Sequence, residues 1–200
     1  MSENIEIEYK VLLTEEQFKI LEVELPFPEH PIIQINHYFD TFNFLLKSYH
    51  SSVRIREIDK QYTLTLKQPK DQHILETNDY LTEKEFISWL NGDPIAKHHT
   101  SKRLAQLGIV ERELTYFGSL QTERKEFSSQ QISYCLDKSS YNGITDYELE
   151  LEVPEVGIGE TIFDTLLEKY TIQKTKPITK IERFFKTLTT DQQSNQLPFQ

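Results

Sequence analysis

The sequence predicts an α+β protein whose main element is one antiparallel sheet of about eight strands. Three observations predict this class. Apolar and polar residues alternate with a period of two in many separate stretches, the connections between those stretches are of the antiparallel type, and only a few segments show helical spacing. Hydrophobic residues make up 37% of the 200 residues and aromatic residues 12%, which is enough to bury a core. No repeat or Gly/Ser linker divides the chain, so we expect a single domain over residues 1–188.

The alternating stretches are spread along the whole chain. In the first, Ile5, Ile7, Tyr9 and Val11 alternate with charged residues, which indicates a strand. The predicted strands cover residues 5–11, 32–39, 52–58, 62–68, 73–78, 109–117, 120–127, 132–137 and 147–153.

Helix starts are indicated by capping boxes, in which a hydroxyl and a side chain three residues later bond each other's backbone amides. Thr14 with Gln17 and Thr82 with Glu85 have this spacing. Asp93-Pro94 also predicts a helix start, because proline suits the first helical turn. Further helices are predicted over residues 93–107, 163–170 and 180–188, and the polar residues 189–200 predict a flexible tail.

Composition excludes several classes of function. The chain has 22 Lys and Arg against 32 Asp and Glu, a net charge of −10, which argues against a general nucleic-acid binder. Cys135 is the one cysteine, so neither an intramolecular disulfide nor a cysteine-rich zinc site can form. No apolar run has the length of a membrane span, and residues 1–4 do not resemble a secretory signal. We therefore expect a cytoplasmic protein.

The charges on the predicted strands are segregated by strand. A solvated surface face is the ordinary explanation for any one of them, but surface strands usually mix charge types. If the sheet curls so that these faces point inward, the enclosed carboxylates repel one another unless a cation offsets them. Oxygen ligands without Cys or His suit Mg²⁺ or Mn²⁺, and arginines suit phosphate oxygens. The residues concerned are Glu6, Glu8 and Lys10; Arg54 and Arg56; Thr63, Thr65 and Lys67; and Glu148, Glu150 and Glu152.

These residues carry a resemblance to a known family. Glu6-Ile7-Glu8-Tyr9-Lys10 is similar to the ExExK motif of the CYTH superfamily, the triphosphate tunnel metalloenzymes. The motifs that follow in the family's order are Tyr38-Phe39-Asp40-Thr41, Arg54-Ile55-Arg56, Leu64-Thr65-Leu66-Lys67, Glu76, Thr122-Glu123-Arg124, Leu136-Asp137-Lys138, Glu148-Leu149-Glu150-Leu151-Glu152 and Thr179-Lys180-Ile181-Glu182-Arg183-Phe184. The resemblance covers about residues 5–187 and is strongest to members from Gram-positive bacteria.

The resemblance implies a closed tunnel, an eight-stranded antiparallel β-barrel with flanking helices that binds a triphosphate inside. It implies that Mg²⁺ or Mn²⁺ is held by Glu6, Glu8, Asp137, Glu148, Glu150 and Glu152. The residues it implies for binding the substrate are Lys10, Arg54, Arg56, Lys67, Arg124, Lys180 and Arg183. Lys10, Arg56 and Glu76 are the expected catalytic residues, and Glu76 would hold a cation in place or position water. Lys174, Lys176 and Lys180 crowd one region, and only one or two of them need to point inward.

The expected reaction is metal-dependent hydrolysis of the terminal phosphoanhydride bond of a small-molecule triphosphate, with inorganic tripolyphosphate as the first substrate. The alternatives are a class IV-type adenylate cyclase, a nucleoside or thiamine triphosphatase, and a non-catalytic polyphosphate or nucleotide binding module. A structural domain with a solvated charged exterior is a further alternative. A nucleic-acid or membrane partner is not expected, and a homodimer is left open.

Overall fold

The computed structural model describes residues 3–71, 73–175 and 178–188. Strands dominate this part of the chain, as the alternating pattern predicts. The strands are β1 (Glu3–Glu6), β2 (Glu8–Leu13), β3 (Ile32–Thr41), β4 (Ser52–Ile58), β5 (Gln61–Lys70), β6 (His73–Leu81), β7 (Leu114–Ser129), β8 (Ile132–Tyr141) and β9 (Ile144–Glu152). The helices are α1 (Glu15–Glu24), α2 (Leu45–Ser48), α3 (Glu83–Leu90), α4 (His98–Gln106), α5 (Val156–Lys169) and α6 (Lys180–Lys186).

The described strands form one antiparallel sheet in the order β1-β6-β5-β4-β3-β7-β8-β9-β2. The two edge strands, β1 and β2, are consecutive in the chain and are separated only by Ile7. Since one residue joins the first edge of the sheet to the last, the sheet must curl to bring its two edges together. The protein is therefore α+β with a strongly curled sheet, as predicted.

The strand count differs from the predicted eight, and among the described residues no ladder joins β1 to β2. The first predicted strand is divided at Ile7, because Glu3–Glu6 pairs with β6 whereas Glu8–Leu13 pairs with β9. The Ile7 carbonyl accepts a hydrogen bond from the Val153 amide instead. The two predicted strands at 109–117 and 120–127 are one long strand, β7, with a register shift opposite Tyr38 and Phe39.

Most of the apolar core lies on the convex face of the sheet, where helices cover it. Val53 and Ile55 on β4 pack beneath Trp89 of α3 and Leu104 of α4. A second cluster joins β2, β8 and β9 to α1 and α5. Because side chains alternate along a strand, the residues between these apolar ones must point to the concave face. The concave face is therefore mainly polar, although Phe184 of α6 packs there on Tyr38 in a third, smaller apolar cluster.

The capping boxes of Thr14 and Thr82 are confirmed at the starts of α1 and α3. The helix predicted from Asp93 is wrong at its start, because α4 begins at His98. Residues 93–97 are held along α3 instead, where the Ser88 hydroxyl and the Trp89 indole donate hydrogen bonds to the carbonyls of Asp93 and Ile95. The tail predicted at 189–200 lies outside the described residues. None of the described helices has both the length and the apolar character needed to span a bilayer.

Candidate active site

The concave face of the sheet encloses a cavity of about 650 Å³. All nine described strands contribute residues to its lining, as do α2 and α6. Of the site residues predicted from the sequence, only Glu148 and Arg183 do not line it. Those that do are Glu6, Glu8, Lys10, Arg54, Arg56, Lys67, Glu76, Arg124, Asp137, Glu150, Glu152 and Lys180.

The register of the sheet explains how residues so distant in sequence converge. Arg54 and Arg56 alternate with the core residues Val53 and Ile55, so both guanidinium groups point into the cavity. On the far side of the sheet, Lys10 of β2 lies directly opposite Glu150 of β9. Because the sheet curls, β4 on one side and β2 and β9 on the other line the same cavity.

Acids and cations on β1, β4, β5 and β6 form one cluster of ion pairs. The Lys67 ammonium lies 2.6 Å from a Glu6 carboxylate oxygen and 2.8 Å from Glu76 Oε1. The Arg54 guanidinium lies 3.6 Å from the same Glu76 oxygen. Glu76 therefore holds two cations in the cavity wall, which is one of the roles that the resemblance implied for it.

A second cluster lies on β7, β8 and β9. Arg124 donates two hydrogen bonds to the Asp137 carboxylate, at 2.8 and 2.6 Å, and a third to Glu150. Glu152 lies 3.8 Å from the same guanidinium. Beside this cluster, on β2, Lys10 pairs with Glu8.

Arg56 differs from the other two arginines of the cavity lining, Arg54 and Arg124, because no carboxylate of the described residues lies within ion-pair distance of it. Its Nε donates a 3.1 Å hydrogen bond to the neutral amide of Asn36. Burial, followed by the positive charges of Arg54 and Arg124, lowers the pKa of Arg56 to about 10. A cation in this environment is stabilised by any anion that enters the cavity.

The charge pairs perturb the ionisation of the acids and of Lys180. Burial raises the pKa of Glu76, but Lys67 and Arg54 outweigh it and lower that pKa to about 2. Burial likewise opposes the charge on Glu150, yet Lys180 and Arg124 hold its pKa well below the ordinary value. Lys180 is affected in the opposite sense, because Asp137, Glu150 and Glu148 raise its pKa in spite of burial. All three side chains therefore carry full charge at neutral pH.

Sequence reasoning missed two neutral residues of the cavity on β3. Gln34 and Asn36 line it and lie on the same face of the strand as Tyr38, which the family motif includes. Their period of two was the available signal, but uncharged side chains drew no attention. It also missed α2, which adds Lys47 to the lining.

Arg183 lies outside the cavity lining and holds α6 to β9. Its guanidinium donates hydrogen bonds to Asp146 at 2.8 Å, to Glu148 at 2.7 Å and to the Ile178 carbonyl at 2.6 Å. Lys180, one turn earlier on the same helix, points into the cavity. Lys174 pairs instead with Asp164 on the surface, and Lys176 lies outside the described residues.

The carboxylates of the cavity fit a hard divalent cation. They offer oxygen ligands alone, and beside them Glu148, which is fully buried next to Lys180 and outside the lining, leaves Oε1 without a hydrogen-bond partner. Within residues 3–71, 73–175 and 178–188, no three acidic, histidine or cysteine side chains are already arranged as metal ligands. The acids of the site are paired with lysine and arginine instead.

Comparison with known proteins finds relatives that match nearly the whole chain. A protein of Bacillus subtilis (strain 168), YjbK, named as a candidate triphosphatase, is 38% identical over 186 residues, which cover 92% of this chain and 96% of YjbK. The crystal structure of a candidate adenylate cyclase from Bacillus halodurans is 39% identical, with a TM-score of 0.89, and the match covers 92% of this chain and 100% of that one.

A more distant structure shares the fold. HpAC1 from Hippeastrum, a candidate adenylyl cyclase described as having a dominant triphosphatase activity, is 24% identical with a TM-score of 0.74. That match covers 91% of this chain and 95% of HpAC1. The family model of the CYTH domain matches residues 4–185. The chain therefore belongs to the CYTH domain family.

Proposed function

We propose that this protein hydrolyses the terminal phosphoanhydride bond of a triphosphate compound, and that inorganic tripolyphosphate is a substrate. The observation that carries the proposal is the cavity position of Arg56, which has two arginines near it and no carboxylate partner among the described residues. A polyanion inside the cavity supplies the missing negative charge. The triphosphatase name of YjbK, 38% identical to this chain, supports the same reaction.

The cations of the cavity are proposed to bind the phosphate oxygens along the chain of the substrate. Arginine offers a planar fork of donors and lysine a compact charge, and both neutralise the charge that shifts in the transition state. Attack of water on the terminal phosphorus forms a new P–O bond, breaks the bridging P–O bond and releases pyrophosphate with orthophosphate. The proposed binding residues are Lys10, Arg54, Arg56, Lys67, Arg124 and Lys180.

Glu76 is proposed to act by holding Lys67 and Arg54 in position. Mg²⁺ or Mn²⁺ bound in the cavity would supply Lewis-acid charge on phosphate oxygens. The proposed ligands are the carboxylates of Glu6, Glu8, Asp137, Glu148, Glu150 and Glu152.

The curled sheet is proposed to work as a tunnel around the phosphate chain. The edges β1 and β2 meet at Ile7, so the wall is completed by the chain itself rather than by a ladder between them. A small-molecule triphosphate of the cytoplasm is the partner that this proposal requires.

The test is release of orthophosphate from tripolyphosphate in the presence of Mg²⁺ or Mn²⁺. We expect Arg56→Ala to lower kcat/KM by about 100-fold or more, because a buried donor to the transferring phosphate is lost. Arg112→Ala is the matched control, since Arg112 is exposed and lies outside the cavity. Full activity of Arg56→Ala would contradict the proposed role of this residue, and no turnover of any triphosphate would contradict the proposed function.

Cyclisation of ATP is the second candidate, because the Bacillus halodurans structure, 39% identical to this chain, is named as a candidate adenylate cyclase. Both reactions bind the same triphosphate, so the products decide between them. Chromatography after incubation with ATP gives ADP and orthophosphate for hydrolysis, and cyclic AMP and pyrophosphate for cyclisation. Metal-dependent binding of tripolyphosphate without turnover would indicate a binding module instead.

A further inference from the structure

Lys180 of α6 is the point where three carboxylates of the sheet meet. Its ammonium nitrogen lies 2.5 Å from Glu150 Oε1, 2.7 Å from Asp137 Oδ2 and 3.1 Å from Glu148 Oε2. Asp137 and Glu148 are fully buried and lie directly opposite each other on β8 and β9. Like charges this close repel strongly, and the ammonium between them offsets part of that repulsion.

The geometry around Lys180 matches what a small cation requires. An ammonium group is a compact charge with three donors, and here each donor has a carboxylate oxygen to meet. A divalent cation would use oxygens of the same acids. Moreover, Glu148 Oε1 is buried without a hydrogen-bond partner, so the carboxylate has an oxygen to offer that the lysine does not use.

We propose that the Lys180 ammonium is an internal counter-ion that competes with a divalent cation for the carboxylates of Asp137, Glu148 and Glu150. The ammonium must leave these oxygens for the cation to bind with full affinity, and the phosphates of a bound triphosphate give it an alternative partner. Cation and triphosphate therefore favour each other's binding. This inference rests on the proposed function for the identity of the anion, but the competition itself needs no substrate.

The experiment measures Mn²⁺ binding to the protein without any phosphate compound, by the electron paramagnetic resonance signal of free Mn²⁺. We expect Lys180→Met to bind Mn²⁺ about tenfold or more tightly than the unsubstituted protein, because a competing positive charge is gone. Lys180→Gln, which keeps hydrogen-bonding capacity without charge, should show the same gain. Lys180→Arg, which keeps the charge, should show little gain.

Lys174→Met is the matched control. Lys174 also pairs with two acids, Asp164 and Glu160, but on the surface and outside the cavity. Its substitution should leave Mn²⁺ affinity unchanged. Equal or weaker Mn²⁺ binding in both Lys180→Met and Lys180→Gln would overturn the inference, and so would an equal gain in Lys174→Met.

A second measurement addresses the coupling to the anion and the stability of the variants. Mn²⁺ should raise the melting temperature of Lys180→Gln more than that of the unsubstituted protein, because the three acids have lost one of their positive partners and keep only Arg124 and Arg183. Addition of non-hydrolysable imidotriphosphate should raise Mn²⁺ affinity less in Lys180→Gln than in the unsubstituted protein. An equal effect in both would overturn the inference. A protein that shows the competition but hydrolyses no triphosphate would contradict the proposed function alone.

Discussion

The Arg183 guanidinium on α6 and the Asp146 carboxylate on β9 form a partly buried ion pair, with Nε and Oδ2 2.8 Å apart. A further nitrogen of Arg183 reaches Glu148, which also contacts Lys180. The pair therefore fixes the helix that carries Lys180, and Arg183 itself lies outside the cavity lining.

Replacement of Arg183 should act mainly on stability. We expect Arg183→Ala to lower the free energy of unfolding by about 3 kcal/mol, because the fully buried Glu148 and the partly buried Asp146 lose a partner. Urea unfolding at pH 7 measures this, and the exposed Lys186→Ala on the same helix is the control. KM for tripolyphosphate, measured where the variant is folded, should change by less than about threefold. A rise of tenfold or more would show that Arg183 contacts the substrate directly, as the sequence-based assignment has it.

Asn36→Asp should give Arg56 the carboxylate partner that no described residue supplies. The Asn36 amide oxygen accepts a hydrogen bond from Arg56 Nε, so an aspartate at this position would form an ion pair. We expect the ligand-free protein to melt at a higher temperature and to bind tripolyphosphate about tenfold more weakly, measured by calorimetry. The exposed Asn91→Asp controls for the change in net charge. Unchanged affinity would contradict the importance of an unpaired Arg56.

Glu76 should make stability depend on pH under acid conditions. Its folded pKa of about 2 lies below the ordinary value of 4.5, so the unfolded state binds its proton first. The stabilisation is complete above about pH 4.5 and is lost as the pH falls towards 2, on the order of 2–3 kcal/mol. Urea unfolding between pH 2 and 6 should show that the free energy of unfolding changes less with pH in Glu76→Gln than in the unsubstituted protein. The control Glu16→Gln, at an exposed position, should keep the pH dependence of the unsubstituted protein. The same pH dependence in both variants would refute the assignment of this effect to Glu76.

Gly118→Ala should destabilise the contact between β7 and α6. Gly118 has a φ of +132°, and an added Cβ would lie 3.0 Å from the ring of Phe184. Gly92→Ala is the control, since Gly92 also has a positive φ but open space around it. We expect about 1 kcal/mol of destabilisation for Gly92→Ala and more for Gly118→Ala, by thermal and urea unfolding. Equal losses of stability in the two variants would mean that α6 moves away from the added methyl group without a loss of free energy.

Much of the fold and of the site could be predicted from local sequence. The period of two along β4 separates Arg54 and Arg56 from Val53 and Ile55, and the capping boxes mark α1 and α3 because those signals are local. The start of α4 was missed, since the bond from the Trp89 indole to the Ile95 carbonyl is a tertiary contact. The division of the first strand was missed for the same reason, because partner strands decide it.

By itself the sequence determined which residues share a face and that the faces carry segregated charge. Only the tertiary structure decided that the charged face is concave, that Lys180 enters the cavity while Arg183 does not, and that Arg56 has an amide for its partner rather than an acid. The physical reason is the distance along the chain over which each interaction acts. Alternation and capping depend on neighbours in the chain, whereas the pairing of charges depends on which strands the curl of the sheet brings together.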